Sequence, residues 1–393
     1  MKAISQRRAL ILIVLAQFLG TSVWFAGNAA IPQFEHILGM DNLTSTLTSL
    51  VQIGFISGSL IFAIFSVPDR FSPSSVFLAS SLLTAFANII PNFLEPNLEV
   101  LYFSRFSVGF FLAGIYPVGM KIASDYFDKG LGVALGLLVG ALVMGTAFPY
   151  LLGGLALEIS WTVIFFSTSF LAVTGGIILG FFVPDGPFRK PMPNFDLRLI
   201  PKLFKIPSLR KAAFGYFGHM WELYTFWAFA PLLITYLNQE SGTNISPLLL
   251  AFCVVASGGL SCVAGGYLAR STTSKFVASL ALFGSGLSCI LLLVIPTTTP
   301  IIWIFLLIFW GISVTADSPQ LSTLVAQSVP QEYKGTALTM VNSLGFGITV
   351  ISLFILESQI EKIGIIAAMS LLAIGPLVGF LSLNFGTKKR GLK

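Results

Sequence analysis

Charge is what this 393-residue chain has least of. Asp, Glu, Lys and Arg make up 10% of it, where a soluble globular protein carries about 25%. That shortage excludes a soluble enzyme, a nucleic-acid-binding domain and a disordered scaffold. Cysteine is also scarce. Cys253, Cys262 and Cys289 all lie in apolar stretches, so neither a disulfide framework nor a cysteine metal site is expected. The two histidines sit in no zinc pattern and there is no P-loop, so no metal, no cofactor and no ATP drive are expected. Long hydrophilic domains are missing too, which weighs against a receptor or partner subunit built on extramembrane contacts.

Apolar residues, by contrast, make up 55% of the chain and aromatic residues 13%, with a mean hydropathy of +0.89. A helix crossing the hydrocarbon core needs roughly 20 apolar residues. Runs of that length recur at 9–32, 44–67, 74–93, 99–121, 130–152 and 161–182, and again at 212–236, 247–269, 275–295, 301–325, 336–356 and 363–384. The expected fold is all-α: twelve membrane helices in two six-helix bundles, 1–183 and 212–393, joined by a basic, proline-rich linker at 184–211. The first run has a basic start and a small-residue end like a secretion signal, but it is too long for one and carries its own polar stripe.

Charge placement tests this map. With the N-terminus inside, all but Lys362 and Arg105 of the 22 basic residues fall on the inner side or in the linker, which is the positive-inside pattern. The net charge of +6 then reflects topology and the anionic lipid of the inner leaflet, with no nucleic-acid partner. Both termini are expected in the cytoplasm, and the compact loops suggest a bacterial inner membrane and a monomer.

The two halves echo one another. Gly109 and Pro117 in helix 4, followed by Lys129-Gly130, parallel Gly311 and Pro319 in helix 10, followed by Lys334-Gly335. Asp69-Arg70 after helix 2 parallels Ala269-Arg270 after helix 8. A two-fold repeat of membrane helices is the architecture of alternating-access transporters, whose substrate site lies between the halves.

Three charged side chains remain inside helices: Arg105, Glu222 and Asp317. An ion there costs about 2.5–3.5 kcal/mol even on the lenient insertion scale, so each needs a partner or a task. Arg105 has the forked donors that suit a carboxylate or phosphate. Glu222 lies near the middle of helix 7 with His219 three residues before it on the same face, a pair able to share a proton. Asp317 precedes Ser318-Pro319, where it either caps a kinked helix or carries a second proton. In helix 1, Gln17, Thr21, Trp24 and Asn28 recur at helical spacing and form one polar-aromatic stripe. Tyr116, Tyr224, Trp227, Gln320 and Asn342, with Gln52, complete the candidate substrate-contacting set. Asp69, Arg70, Asp125 and Asp128 in the inner loops are candidates for a charge latch that closes in one state and breaks in the other.

On these residues the chain resembles the major facilitator superfamily over essentially its whole length. The family's G-x-x-x-D-R-x-G-R-R signature is matched at Asp69 and Arg70, while Phe65, Ser72 and Pro73-Ser74 replace its glycines and basic pair. Its helix 4 pattern of Arg followed four residues later by Gly fits Arg105 and Gly109. Gly145, Pro149 and Gly153-Gly154 only loosely echo its antiporter signature. The resemblance implies a secondary transporter, a substrate-binding or proton-coupling role for Arg105 and gating by the Asp69 region. The expected cargo is a small anionic or zwitterionic organic solute, coupled to protons through Glu222, His219 or Asp317. The alternative is proton-driven efflux of lipophilic or cationic compounds.

Overall fold

The computed structural model describes residues 4–127, 131–155, 159–189 and 196–385, and among these the chain is helical with no strand. The long helical segments are α1 (Gln6–Thr21), α2 (Leu43–Ile64), α3 (Pro73–Asn92), α4 (Leu98–Tyr126), α5 (Gly132–Leu155) and α6 (Trp161–Phe182). After the linker come α7 (Pro207–Ser241), α8 (Pro247–Ser271), α9 (Ser274–Leu291), α10 (Pro300–Gln327), α11 (Lys334–Ile363) and α12 (Ile365–Asn384). Ten of these, all but α1 and α7, are long and apolar enough to cross a membrane. The end of the bundle carrying Arg7, Arg70, Arg189 and Arg210 is called the basic end below.

Every apolar run returns as helix, but several boundaries move, each for a local reason. The run 9–32 is not one helix. Thr21 Oγ1 bonds back to the Gln17 carbonyl at 2.8 Å and Ser22 Oγ to the Leu19 carbonyl at 2.8 Å, side-chain competition that bends helices. The chain turns through 22–25 and resumes as the short helices Ala26–Ala29 and Ile31–Leu38. α7 begins at Pro207 and spans 35 residues, taking in the last part of the segment read as linker. α4 is interrupted after Leu112 and restarts at Tyr116, and α10 is interrupted at Asp317. Pro117 and Pro319 explain both breaks: each lacks an N–H and crowds the carbonyl four residues back.

Packing supports the duplication. A Cβ on Gly109 would collide with the Val51 carbonyl of α2, and one on Gly311 with the Val254 carbonyl of α8. The two glycines noted in the sequence therefore do the same work in each half, letting α4 approach α2 and α10 approach α8 backbone to backbone. Small residues at such crossings are how membrane helices associate where lipid offers no hydrophobic drive. The same two-fold relation, α2 to α8 and α5 to α11, pairs the two main helix packings between halves. α5 packs on α8, where a Cβ on Gly140 would come 2.8 Å from the Gly259 carbonyl. α2 packs on α11, where Phe55 meets Phe346 at 4.6 Å.

Candidate functional site

The break in the first helical segment places Trp24 at the seam between halves. Its ring stacks on Tyr224 of α7 at 5.7 Å and on Phe346 of α11 at 6.1 Å, both at 22°. Phe25 meets Trp227 edge-on at 6.3 Å. Each such pair adds about 0.5–1.5 kcal/mol beyond its buried area, so the aromatic layer joins the halves about midway along α2, α7 and α11. Tyr150 of α5 adds a polar tie by donating to the Trp227 carbonyl at 3.0 Å. That carbonyl is free because Pro231, four residues on, has no N–H to offer it.

Beside this layer lies a cavity of about 20 Å³, room for one or two waters. Tyr116, Val139, Leu142 and Val143 line it from one half. Tyr216, Met220, Leu223, Tyr224 and Trp227 of α7, Thr315 and Ser318 of α10 and Phe346 line it from the other. Three residues singled out in the sequence, Tyr116, Tyr224 and Trp227, are therefore brought together. Tyr216, Thr315 and Ser318 were missed, although Thr315 and Ser318 flank Asp317 and Tyr216 lies one turn before His219.

The buried charges are arranged differently from the sequence expectation. His219 and Glu222 do not form a pair. His219 Nδ1 lies 2.8 Å from Asp317 Oδ1, with both side chains 1% exposed. The contact is close but is not an aligned hydrogen bond. It spans α7 and the break of α10, and Tyr216, Thr315 and Ser318, neighbours of the pair in the chain, reach the cavity wall. Asp317 makes no side-chain cap on the helix that follows it, so the capping role is not realised. Glu222 instead accepts from Trp310 Nε1 at 2.6 Å, Ser285 Oγ at 2.9 Å and Cys289 Sγ at 3.3 Å. Its carboxylate bonds α7 to α9 and α10, wholly inside the second half.

Arg105 is likewise interior to one half. Its Nη2 donates to Asn88 Oδ1 at 2.7 Å and Ser104 Oγ at 3.0 Å, its guanidinium lies 4.7 Å over the Phe165 ring, and Gly27 packs against its stem. It does not line the cavity, and its Nε and Nη1 have no hydrogen-bond partner among the described residues. The helix 1 stripe fans out rather than lining one wall. Gln17 lies against Gly119 of α4, Thr21 against Gly145 of α5, and Asn28 donates to Thr48 Oγ1 at 2.7 Å. Gln52 is buried and its amide has no partner among the described residues. Gln320 is buried on α10 and Asn342 half-buried on α11, and neither reaches the cavity.

At the basic end, Asp69 and Asp125 are bridged by Lys121, whose Nζ is 2.9 Å from Asp69 and 4.0 Å from Asp125. Arg189 pairs with Asp185 and donates to the Asp69 and Phe71 carbonyls at 3.1 and 2.7 Å. The bridging cations are thus Lys121 and Arg189, which the sequence reading left out of the latch, while Arg70 is exposed. These ties lie within the first half and the start of the linker. Asp128 lies outside the described residues.

No curated protein sequence matches this chain. Its fold is similar to the crystal structure of the human organic anion transporter MFSD10 (TETRAN), with a TM-score of 0.73 over 97% of this chain and 100% of that one, at 14% identity. The family model for the Major Facilitator Superfamily matches residues 13–353. That match spans both helical halves and the seam between them, and the chain belongs to the major facilitator superfamily of transporters.

Proposed function

We propose that the protein is a proton-coupled secondary active transporter that moves a small organic solute by alternating access. In this reading α1 with its continuation and α7 complete a set of twelve spans. The basic end and both termini face the cytoplasm of a bacterial inner membrane, and the halves rock about the aromatic layer. The observation that carries the proposal is the cavity between the halves beside the buried His219–Asp317 pair.

The cavity walls favour a solute with a flat or apolar body and a few hydrogen-bonding groups. Tyr116, Tyr216, Tyr224, Trp227 and Phe346 supply area, and Thr315 and Ser318 supply hydroxyls. With His219 protonated and Asp317 ionised, the pair is neutral as a whole. Removing that proton leaves a net buried charge, which costs several kcal/mol after relaxation. Proton binding and the arrangement of α7 against α10 are therefore linked. The test starts from a thermal-stability screen of the purified protein, since a ligand that binds only the folded state stabilises it by mass action. In vesicles loaded with the ligand so found, Asp317→Asn is expected to abolish accumulation driven by a pH gradient while sparing counterflow exchange. Unchanged accumulation refutes the coupling role.

A second reading, with an organic anion as the solute, is favoured by Arg105, whose Nε and Nη1 lack partners. The fold relative named above is itself an organic anion transporter. Aromatic carboxylates stabilising the wild type but not Arg105→Ala would favour it. Lipophilic amines stabilising both proteins equally would favour the efflux alternative.

A further inference from the structure

The chain enters α2 through Asn42, which has a left-handed backbone (φ 65°, ψ 40°) and makes no side-chain cap on its own helix. The first turn of α2 is capped instead by two other side chains. The Leu43 N–H donates to Glu35 Oε1 at 3.0 Å, from the preceding short helix of the same half. The Ser45 N–H donates to Glu357 Oε1 at 3.2 Å, and Ser45 Oγ bonds Glu357 Oε2. Glu357 belongs to α11, in the other half. The side chain of Asn42, freed from capping, donates to Glu361 Oε1 at 2.9 Å, also on α11.

Glu361, in the last turn of α11, is misplaced by that helix's own dipole. The carboxy-terminal turns carry partial negative charge, and an anion there is disfavoured. Glu361 lies in that last turn and Glu357 one turn before it, and both face the positive end of α2, whose orphan N–H groups need acceptors. We infer that Glu357 is a cap supplied across the seam, a latch that holds the end of the bundle opposite the basic end closed. This inference rests on the alternating-access reading above. Opening that end separates α2 from α11, so the Glu357 bonds break, whereas Glu35 travels with α2 and keeps its bond. Of the two caps on this helix terminus, the one from Glu357 is conditional on the conformational state and the one from Glu35 is not.

The experiment measures distance distributions between spin labels at Met40→Cys and Lys362→Cys in the full-length protein in lipid nanodiscs. The background is Cys253→Ser, because Cys253 is exposed while Cys262 and Cys289 are buried. Glu357→Ala is expected to shift the open-to-closed ratio at this end about tenfold toward open, on the scale of a lost hydrogen bond to a charged group. Glu357→Gln, which keeps one carbonyl acceptor for the Ser45 N–H, is expected to shift it less. Glu35→Ala is expected to leave the ratio within about twofold, because the bond it removes is present in both states. The latch is overturned if the wild type shows two distances and Glu357→Ala leaves their ratio unchanged. Equal shifts from the Glu35 and Glu357 variants also overturn it, by reducing both to ordinary helix caps. A wild type with one distance under every pH and lipid condition overturns the alternating-access reading itself.

Discussion

Replacing Glu222 with alanine removes the acceptor of three buried donors at once, and their responses differ. Trp310 Nε1 can only donate and would be left without a partner. Ser285 Oγ retains a fallback, the Leu282 carbonyl at 3.3 Å. Cys289 is a weak donor and loses little. One orphaned strong donor costs about 1–3 kcal/mol, and the methylenes lost from a site that cannot fully collapse add to it. The expected loss for Glu222→Ala is about 2–4 kcal/mol. Glu222→Gln behaves differently. Its carbonyl can still accept from Trp310, and its amide can donate to Ser285 Oγ while that hydroxyl turns to Leu282, so the cost stays at about 1 kcal/mol or less. Thermal unfolding in detergent separates the two variants, and uptake into vesicles measures what each retains. The glutamine variant is expected to melt close to wild type and to accumulate solute against a gradient. If it melts like wild type yet loses uphill accumulation while keeping exchange, Glu222 carries the coupled proton and the structural role argued here is wrong. If it melts as early as the alanine variant, the hydrogen-bond reasoning is wrong.

Other substitutions probe the seam and the helix crossings. Tyr150→Phe strands the Trp227 carbonyl that Pro231 leaves free, so the closed arrangement of the layer is expected to lose about 1–3 kcal/mol, read as greater labelling of cysteines placed between the halves. Gly109→Leu forces side-chain volume into the Val51 backbone and is expected to cost about 2–3 kcal/mol in melting. Gly132→Leu, with open space around that residue, is expected to melt as wild type, and equal melting of the two variants counts against close packing at α2 and α4. Arg105→Ala is expected to lower the melting temperature by several degrees, because Asn88 loses its donor and the Phe165 face its cation; an unchanged melt would show that the bracket around Arg105 contributes nothing.

Backbone architecture was largely legible in the sequence because membrane burial leaves a strong record. Twenty-residue apolar runs returned as helix, the first of them broken, and Pro319 lies at the kink read for it; Pro117 and the glycines 109 and 311, read only as marks of a repeat and a family pattern, prove to act through the backbone. The partners of the buried charges were not legible. His219 and Glu222 share a helical face by spacing, but spacing says nothing of which neighbouring helix that face meets. Asp317 meets His219 from the α10 break, while Trp310 on α10 and Ser285 and Cys289 on α9 lie on helices whose rotation the sequence leaves open. Arg105 shows the same limit. Its chemistry suits an anion, yet whether it points into the seam or into its own half depends on the rotation of α4. Among the latch candidates, Asp69 and Asp125 are joined through Lys121, a cation read only as part of the positive-inside count.

In the alternating-access reading proposed above, these placements constrain how rocking of the halves is coupled to chemistry. Glu222 with its three donors and the His219–Asp317 pair both lie within the second half, and Arg105 with Asn88 and Phe165 lies within the first. Rigid-body motion of one half against the other therefore leaves each buried charge with the partners described above. Among the contacts between the halves that change are the ring stacks around Trp24, the Tyr150 bond and the Glu357 cap, worth about 1 kcal/mol each, beside the close packing of α5 on α8. Such weak and separable ties suit a two-state equilibrium that a ligand or proton can tip, since a few kcal/mol suffice to reverse populations. Under the proton coupling proposed above, a proton lost from the His219–Asp317 pair supplies an energy of that size, and it acts where the pair meets the α10 break beside the cavity. On this argument the coupling step is a change in α10 at its break, transmitted to the aromatic layer through Thr315 and Ser318, rather than the rupture of an ion pair between the halves.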